Sequence, residues 1–425
     1  MKRLLINKLI NLFIKYFMLR IADKIKKLGT ETAFAVSAEA AAFAAKGNKV
    51  YPFHIGDMNF STPSTVVEGT IKAIHDGKTG YCPTTGIPQL REAIADDVNA
   101  ARRTDYSMEN VAVQPGGKPT IGKFILALLN PGDEVLYPNP GYPIYESQIE
   151  FNGAVAVPYT FVEGKNNFVF EIDAIKEKIT PKTKVIILND LQNPSGAEFS
   201  KKNLEELAAV AIKHNLIVLS DEAYFDIRYE GKSLSIASIP EMQERTVILY
   251  SFSKRFAMTG WRLGATIAPK EIINVIAKLN VNDESCSNHF IQYGAIAGLR
   301  GDQSEVKKIL SALKERRDAC VQILNSVRGI NCFNPNATFY LFPNVTALMK
   351  NKGFSDYELF RKDILYNTGV SFCTRMHFGR PLPGEKNYYI RIAYSGINLN
   401  ELTEGLNKFK NYINSSANKA ISKKN

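Results

Sequence analysis

Residues 246–267 read TVILYSFSKRFAMTGWRLGATI. The apolar run at 246–250 is rich in β-branched residues and predicts a buried strand, and 264–267 predicts a second strand. Lys254 lies between them, flanked by small hydroxyl residues and followed by Arg262. A lysine just past a buried strand, beside hydroxyl groups and an arginine, is typical of an amine that bonds to an aldehyde while its neighbours bind an anion.

Short apolar runs alternate with helical patterns from about residue 110 to residue 270. The runs that predict strands are 111–113, 134–137, 154–157, 184–188, 216–219, 246–250 and 264–267. Stretches between them, such as 121–129 and 202–214, have helical spacing. This alternation predicts an α/β fold whose mostly parallel central sheet carries helices on both faces. Such sheets bind ligands at the carboxyl ends of their strands.

The pattern changes after about residue 300. A long charged helical stretch at 305–324 precedes shorter strands around 331–333, 339–342, 370–373 and 388–393, and a final helix spans about 400–412. We therefore expect a smaller α/β domain at the C-terminus. The predicted division is an N-terminal extension at 1–27, a segment of the small domain at 28–58, a large domain at 59–300, the small C-terminal domain at 301–413 and a disordered tail at 414–425.

The composition excludes several classes of protein. The formal net charge is +11, but the basic residues are scattered and densest at the two ends, so the sequence does not predict a nucleic-acid-binding surface. The five cysteines form no C-x-x-C pair, and the five histidines have no ligand spacing. These counts favour neither a metal site nor a disulfide framework, and they indicate a reducing, cytoplasmic location.

The first 22 residues combine basic side chains with Leu, Ile and Phe, and contain no acidic residue. Three interpretations compete: an amphipathic targeting or membrane-surface helix, a secretion signal, and an extension upstream of a true start at Met18. Charges interrupt the apolar run, which argues against a signal peptide and against a spanning helix, since the latter needs about 20 apolar residues. We favour an extension or a short surface helix, without stable membrane insertion.

Several polar residues follow predicted strands. Asp221 ends the 216–219 strand, and as a buried carboxylate it suits either a helix N-cap or an anion paired with a protonated ring nitrogen. Asn193 and Tyr224 lie at neighbouring strand ends and can both donate hydrogen bonds. Tyr142 is either packed in its turn or stacked on the face of a cofactor.

Eight motifs, in this order, resemble the class I/II pyridoxal-phosphate-dependent aminotransferases, the fold type I enzymes related to aspartate aminotransferase. They are YCPTTG (81–86), GGK (116–118), PNPGY (138–142), NPSG (193–196), SDEAY (220–224), SFSK (251–254), GWR (260–262) and YIRIA (389–393). The resemblance covers roughly residues 28 to 413. It implies pyridoxal 5'-phosphate as the cofactor and a homodimer with shared active sites.

The resemblance also implies a role for each matching residue. Lys254 would hold the cofactor covalently and then move the α-proton of the substrate, while Asp221 would pair with the pyridine nitrogen. Tyr224 and Asn193 would contact the phenolate oxygen. The residues implied for the phosphate are Gly117, Lys118, Ser251, Ser253 and Arg262 of one subunit and Tyr81 of the other. The residues implied for the substrate α-carboxylate are Arg391, Asn193 and the backbone of Gly56.

The expected reaction is the exchange of an amino group between an L-amino acid and a 2-oxo acid, with aspartate and 2-oxoglutarate as the first expectation from the family. A C–S β-lyase on the same fold is the alternative, and a non-catalytic regulatory protein that binds the cofactor is a third. Residues 282–289, where an aspartate-specific relative can supply a second arginine, contain acidic and polar residues but no arginine. We therefore expect only a modest preference for aspartate.

Overall fold

The computed structural model describes residues 21–29 and 32–415. The amphipathic segment predicted at the N-terminus and most of the tail predicted at 414–425 lie outside these residues. No helix within the described residues is long and apolar enough to cross a membrane.

The described residues form fourteen α-helices and fourteen strands, with short 3₁₀ turns between them. The helices are α1 Ala33–Ala44, α2 Ser64–His75, α3 Pro88–Arg102, α4 Lys118–Leu128, α5 Ile144–Phe151, α6 Ile172–Lys176, α7 Lys201–Lys213, α8 Phe252–Arg255, α9 Lys270–Asp283, α10 His289–Arg300, α11 Ser304–Asn325, α12 Thr346–Asn351, α13 Tyr357–Thr368 and α14 Leu399–Asn414. The strands are β1 Tyr51–Pro52, β2 Val111–Gln114, β3 Glu134–Pro138, β4 Val155–Tyr159, β5 Phe161–Glu163, β6 Phe168–Phe170, β7 Thr183–Asn189, β8 Ile217–Asp221, β9 Thr246–Ser251, β10 Gly264–Ile267, β11 Tyr340–Leu341, β12 Val370–Ser371, β13 Cys373–Thr374 and β14 Ile390–Ala393.

A seven-stranded sheet lies at the centre, in the order β2-β10-β9-β8-β7-β3-β4. β10 runs antiparallel to both of its neighbours, and the other adjacent pairs are parallel. The predicted α/β fold with a mostly parallel sheet is therefore confirmed. The sequence marks β10 as a strand but not its direction, because an isolated apolar run looks the same in either direction.

Helices cover both faces of this sheet, so its strands are apolar along almost their whole length. In β7, Ile186 and Leu188 point to one face and pack with Leu204 of α7. Val185 and Ile187 point to the other face, where they join the core that contains residues of α4. This alternation follows from the two-residue period of a strand.

A separate core lies in the C-terminal part of the chain, where Phe360 of α13 and Leu402 of α14 are fully buried. Tyr51 and Phe53 from the N-terminal segment pack into the same core, and β1 pairs with β12 in parallel. A three-stranded sheet, β11-β14-β13, completes this region. The strand predicted at 331–333 forms only a single bridge, from Asn331 to Asn344. The domain boundaries themselves stay a prediction.

The central sheet brings together the ends of three strands that are distant in sequence. Asn189, at the end of β7, pairs with Asp221 of β8, and Asp221 pairs in turn with Leu249 of β9. β9 ends at Ser251 and leads directly into α8, which carries Lys254. These strand ends form the floor of a cavity.

Candidate active site

A cavity of about 610 Å³ opens at the carboxyl ends of the parallel strands. Twelve of the thirteen site residues predicted from the sequence line it. They are Gly56, Gly117, Lys118, Tyr142, Asn193, Asp221, Tyr224, Ser251, Ser253, Lys254, Arg262 and Arg391. The thirteenth, Tyr81, does not line it. The individual roles of these residues stay predictions, but the structure brings the residues together around one cavity.

Lys254 extends across this cavity. It lies in α8, which Ser251 caps by accepting a hydrogen bond from the backbone N–H of Ser253 at 3.2 Å. The Lys254 Nζ donates to the carbonyl oxygen of Gly56 at 2.8 Å. A Cβ atom on Gly56 would lie 2.0 Å from the hydroxyl oxygen of Tyr340, so any other residue at this position would displace the Tyr340 ring. The amine is therefore held at the junction between the central sheet and the N-terminal segment.

Asp221 is a buried carboxylate at the end of β8, with 6% of its surface exposed. Its Oδ2 accepts a hydrogen bond from the hydroxyl of Tyr145 at 2.5 Å, and its Oδ1 accepts from the backbone N–H of Ala223 at 3.2 Å. Burial raises the pKa of Asp221 to about 6, while these two hydrogen bonds act in the opposite direction. The contact with Ala223 is the local cap, and the same side chain also faces the cavity.

Tyr224 and Asn193 stand beside Asp221 on the cavity wall. The hydroxyl groups of Tyr224 and Tyr340 are 2.8 Å apart. Burial raises the pKa of Tyr224 well above its ordinary value, so this phenol remains protonated at neutral pH. The backbone N–H of Asn193 donates to the side-chain oxygen of Asn189 at 3.1 Å, which fixes the loop that follows β7.

Arg391 lies on β14, and only 4% of its surface is exposed. Its guanidinium donates to the side-chain oxygen of Asn193 at 3.1 Å and to the carbonyl oxygen of His54 at 2.5 Å. The ring centres of Tyr340 and Phe378 each lie 4.7 Å from it. The Nε atom of Arg391 is buried and has no hydrogen-bond partner among the described residues. A buried guanidinium with a spare donor suits an anionic ligand such as a carboxylate.

A second group of donors lies at the N-terminus of α4. Gly117 caps this helix, whose exposed N–H groups and dipole favour an anion. Arg262 has a left-handed backbone, with φ of 57°, and its guanidinium lies directly against Gly116. A Cβ atom on Gly116 would lie 2.3 Å from the Arg262 Nη2. With the hydroxyls of Ser251 and Ser253 close by, this donor set fits a phosphate group.

Lys118 and Tyr142 form another part of the wall, with the Lys118 Nζ 5.8 Å from the centre of the Tyr142 ring. Tyr142 in turn packs edge-on against Tyr145, with ring centres 5.7 Å apart. Tyr81 is different, since 89% of its surface is exposed. The role expected of Tyr81 in a neighbouring subunit stays a prediction.

Sequence reasoning missed several residues of the site. Tyr145, Tyr340 and Phe378 line the cavity, and His54 contributes its carbonyl oxygen to Arg391. Tyr145 had a weak signal, because it lies in the first turn of α5, directly after the motif that ends at Tyr142. The others come from segments that are remote in sequence, so no local pattern marks them.

The chain matches the model of the family "Aminotransferase class I and II" over residues 48–409. It is 33% identical to the probable aspartate/prephenate aminotransferase of Aquifex aeolicus, covering 92% of this chain and 98% of that protein. It is also 33% identical to the aspartate aminotransferase of Musicola paradisiaca, covering 89% of this chain and 93% of that protein. The solved alanine aminotransferase of Pyrococcus furiosus superposes with a TM-score of 0.84 at 30% identity, covering 93% and 99%.

Family, motifs and site geometry therefore agree. The match extends from the N-terminal segment that meets Lys254 to the last helix of the C-terminal core. This chain belongs to the class I and II aminotransferases, and it is an aminotransferase of fold type I.

Proposed function

We propose that this aminotransferase is a homodimer that uses pyridoxal 5'-phosphate to exchange an amino group between an L-amino acid, with aspartate as the first candidate, and a 2-oxo acid such as 2-oxoglutarate. The observation that carries the proposal is that Lys254, Asp221 and Arg391 face one cavity. These are an amine that can bond to an aldehyde, a carboxylate that can pair with a ring cation, and a guanidinium that can bind a carboxylate.

The side chains of the cavity suit the parts of that cofactor. Gly117, Ser251, Ser253 and Arg262 would hold its phosphate, since they supply N–H, hydroxyl and guanidinium donors at a helix N-terminus. Asp221 would face the pyridine nitrogen. When bound, pyridoxal phosphate supplies an electron sink for the electron pair released at the substrate α-carbon.

The protein then has three tasks. Arg391 would bind the substrate α-carboxylate in two parallel hydrogen bonds, with Asn193 fixing the plane of the guanidinium. Lys254 would act as the base that takes the proton from the substrate α-carbon and as the acid that later gives it back, because its flexible side chain ends in an amine that reaches across the cavity. Tyr224 would donate its hydroxyl proton to the phenolate oxygen of the cofactor while it accepts a hydrogen bond from Tyr340, and Asn193 would contact the same phenolate oxygen.

The proposal is tested by a screen of amino donors against 2-oxoglutarate and pyruvate, with purified protein and added pyridoxal phosphate. We expect transfer of the amino group to the 2-oxo acid, with aspartate among the better donors. The same preparation is also supplied with cystathionine. Release of pyruvate and ammonia from cystathionine, without amino transfer from any donor, would instead support the β-lyase.

A further inference from the structure

Tyr145 makes the shortest described contact to Asp221, although no motif marks it. It is fully buried in α5, with 0% of its surface exposed. Its hydroxyl lies 2.5 Å from the Asp221 Oδ2. Burial and the nearby carboxylate raise the pKa of Tyr145 well above its ordinary value, so its hydroxyl keeps its proton and acts as the donor.

Other groups around Asp221 oppose its ionisation. Burial is the largest effect, and the neighbouring carboxylate of Glu222 also raises the pKa of Asp221. Glu222 itself is paired with the buried guanidinium of Arg102. The phenol of Tyr224 is neutral. Two hydrogen bonds lower the pKa of Asp221, and the one from Tyr145 has a larger effect than the one from the Ala223 N–H.

The two hydrogen bonds also fix the direction of the carboxylate. Each carboxylate oxygen has two lone pairs, and here each oxygen accepts one hydrogen bond, from Tyr145 or from Ala223. The remaining lone pairs are available on the cavity side. Tyr145 lies on α5, whereas Ala223 follows β8, so two different parts of the chain hold the carboxylate, one at each oxygen.

We propose that Tyr145 is a positioning residue, whose hydroxyl keeps Asp221 ionised and correctly oriented to pair with the ring nitrogen of the cofactor. This inference rests on the proposed function. It predicts that removal of the Tyr145 hydroxyl weakens cofactor binding in a manner that depends on pH. A purely structural tyrosine would affect stability alone.

Tyr159 offers a matched control. It is also buried, with 1% of its surface exposed, and its hydroxyl donates to the Ile187 carbonyl oxygen at 2.6 Å within the same central sheet. It does not line the cavity. Tyr145→Phe and Tyr159→Phe therefore remove the same chemical group from comparable surroundings, and only the former removes a partner of Asp221.

The experiment is a titration of the cofactor-free dimer with pyridoxal phosphate, followed by the absorbance of the bound cofactor, for the wild type and both variants. Without its hydrogen bond, Asp221 should be protonated over a wider pH range. If the loss raises the pKa of Asp221 by about one unit from about 6, the ionised fraction falls about threefold at pH ~6.5 and hardly changes at pH ~8.5. We therefore expect the apparent dissociation constant of Tyr145→Phe to rise about threefold near pH ~6.5, with almost no rise near pH ~8.5. Tyr159→Phe should bind the cofactor like the wild type at both pH values.

The outcomes separate the two proposals. If the wild type does not bind pyridoxal phosphate, the proposed function fails. If the wild type binds it and Tyr145→Phe binds equally well at both pH values, or loses affinity by the same factor at both, Tyr145 is structural and the inference is overturned. Melting temperatures of the three cofactor-free proteins check folding, and a Tyr145→His variant, which keeps a donor on the side chain, should recover part of the affinity if the first variant misfolds.

Discussion

The guanidinium of Arg391 donates a hydrogen bond of 3.1 Å to the side-chain oxygen of Asn193. This bond joins β14 of the C-terminal core to the loop that follows β7 of the central sheet. The same guanidinium binds the carbonyl oxygen of His54 from the N-terminal segment. Three parts of the chain therefore converge on one cation. A substrate carboxylate bound to Arg391 would therefore lie where these three parts of the chain meet.

Arg391→Lys should raise the KM for the amino donor far more than it lowers kcat. An ammonium group cannot form the two parallel hydrogen bonds of a guanidinium, and each hydrogen bond to a charged group contributes about 1.5–3 kcal/mol, which corresponds to roughly 10- to 150-fold. Steady-state kinetics with a fixed 2-oxo acid measure this split. Arg316→Lys is the control, because Arg316 is a buried arginine of the C-terminal core that does not line the cavity. An unchanged KM in Arg391→Lys would contradict the assignment.

Lys254 should carry the cofactor covalently. The purified protein should be yellow, and borohydride reduction followed by peptide mapping should identify the label on Lys254. Lys118 is the alternative within the cavity, and Lys123 lies further along the same helix, where its amine contacts Glu284. A label on either of these lysines in the wild type, or a label that persists in Lys254→Ala, would show that another amine bonds to the cofactor.

Asp221→Asn should stabilise the cofactor-free fold at neutral pH while it lowers turnover. The folded-state pKa of Asp221, about 6, lies above its ordinary value of 3.8. The contribution of Asp221 to the free energy of unfolding is therefore fully present below about pH 4 and is lost as the pH rises through about 6. The total loss is on the order of 2–3 kcal/mol. Denaturant unfolding at pH ~7.5 should find the variant more stable, with the difference shrinking below pH ~5.

The same variant should lose several kcal/mol of transition-state stabilisation, about tenfold in rate for each 1.4 kcal/mol, because a neutral amide cannot pair with a ring cation. The cofactor-loaded variant is compared with the loaded wild type. Near-normal turnover would mean that Asp221 serves only as the cap for Ala223.

Tyr81 should act in the active site of the neighbouring subunit. Chains with Lys254→Ala and chains with Tyr81→Phe are each impaired, but a mixed dimer would contain one site with both residues intact. Mixing the two should therefore restore activity, provided that the lost hydrogen bond, about 1.5–3 kcal/mol, impairs Tyr81→Phe sufficiently. If Tyr81 acts within its own chain, no intact site forms and mixing restores nothing. Wild-type protein that is monomeric by light scattering and still active would also contradict the shared site.

Site residues that directly follow a strand of the central sheet could be predicted from the sequence more reliably than site residues that reach the cavity from other parts of the chain. Asp221 and Lys254 follow apolar runs, and the carboxyl ends of parallel strands lie at one edge of the sheet, so their convergence could be predicted. Tyr340 lies on a two-residue strand of the C-terminal core, and it reaches the cavity only because that core packs against the N-terminal segment. The contact of Tyr145 with Asp221 depends on how α5 packs against the central sheet. Such tertiary contacts leave no periodic signal in the sequence.

Substrate preference for aspartate should be modest. A dicarboxylic substrate requires a second cation for its distal carboxylate, but none of residues 282–289 lines the described cavity. Within this segment, Asp283 and Glu284 instead pair with Lys123. A carboxylate left unpaired in a partly dry pocket costs on the order of 1–3 kcal/mol, so neutral and aromatic amino acids should be accepted within about 100-fold of aspartate in kcat/KM.

If the preference for aspartate proves stronger, Lys118 is the candidate for the second cation, because it lines the cavity. The kcat/KM values for aspartate, alanine, leucine and phenylalanine are compared in the wild type and in Lys118→Gln. Glutamine is one atom shorter than lysine and keeps a polar end without the charge. Loss of a charge contact to the distal carboxylate should reduce kcat/KM for aspartate alone, whereas loss of a phosphate contact should reduce it for every donor. A preference above about 1000-fold for aspartate in the wild type would mean that a cation does reach the distal carboxylate.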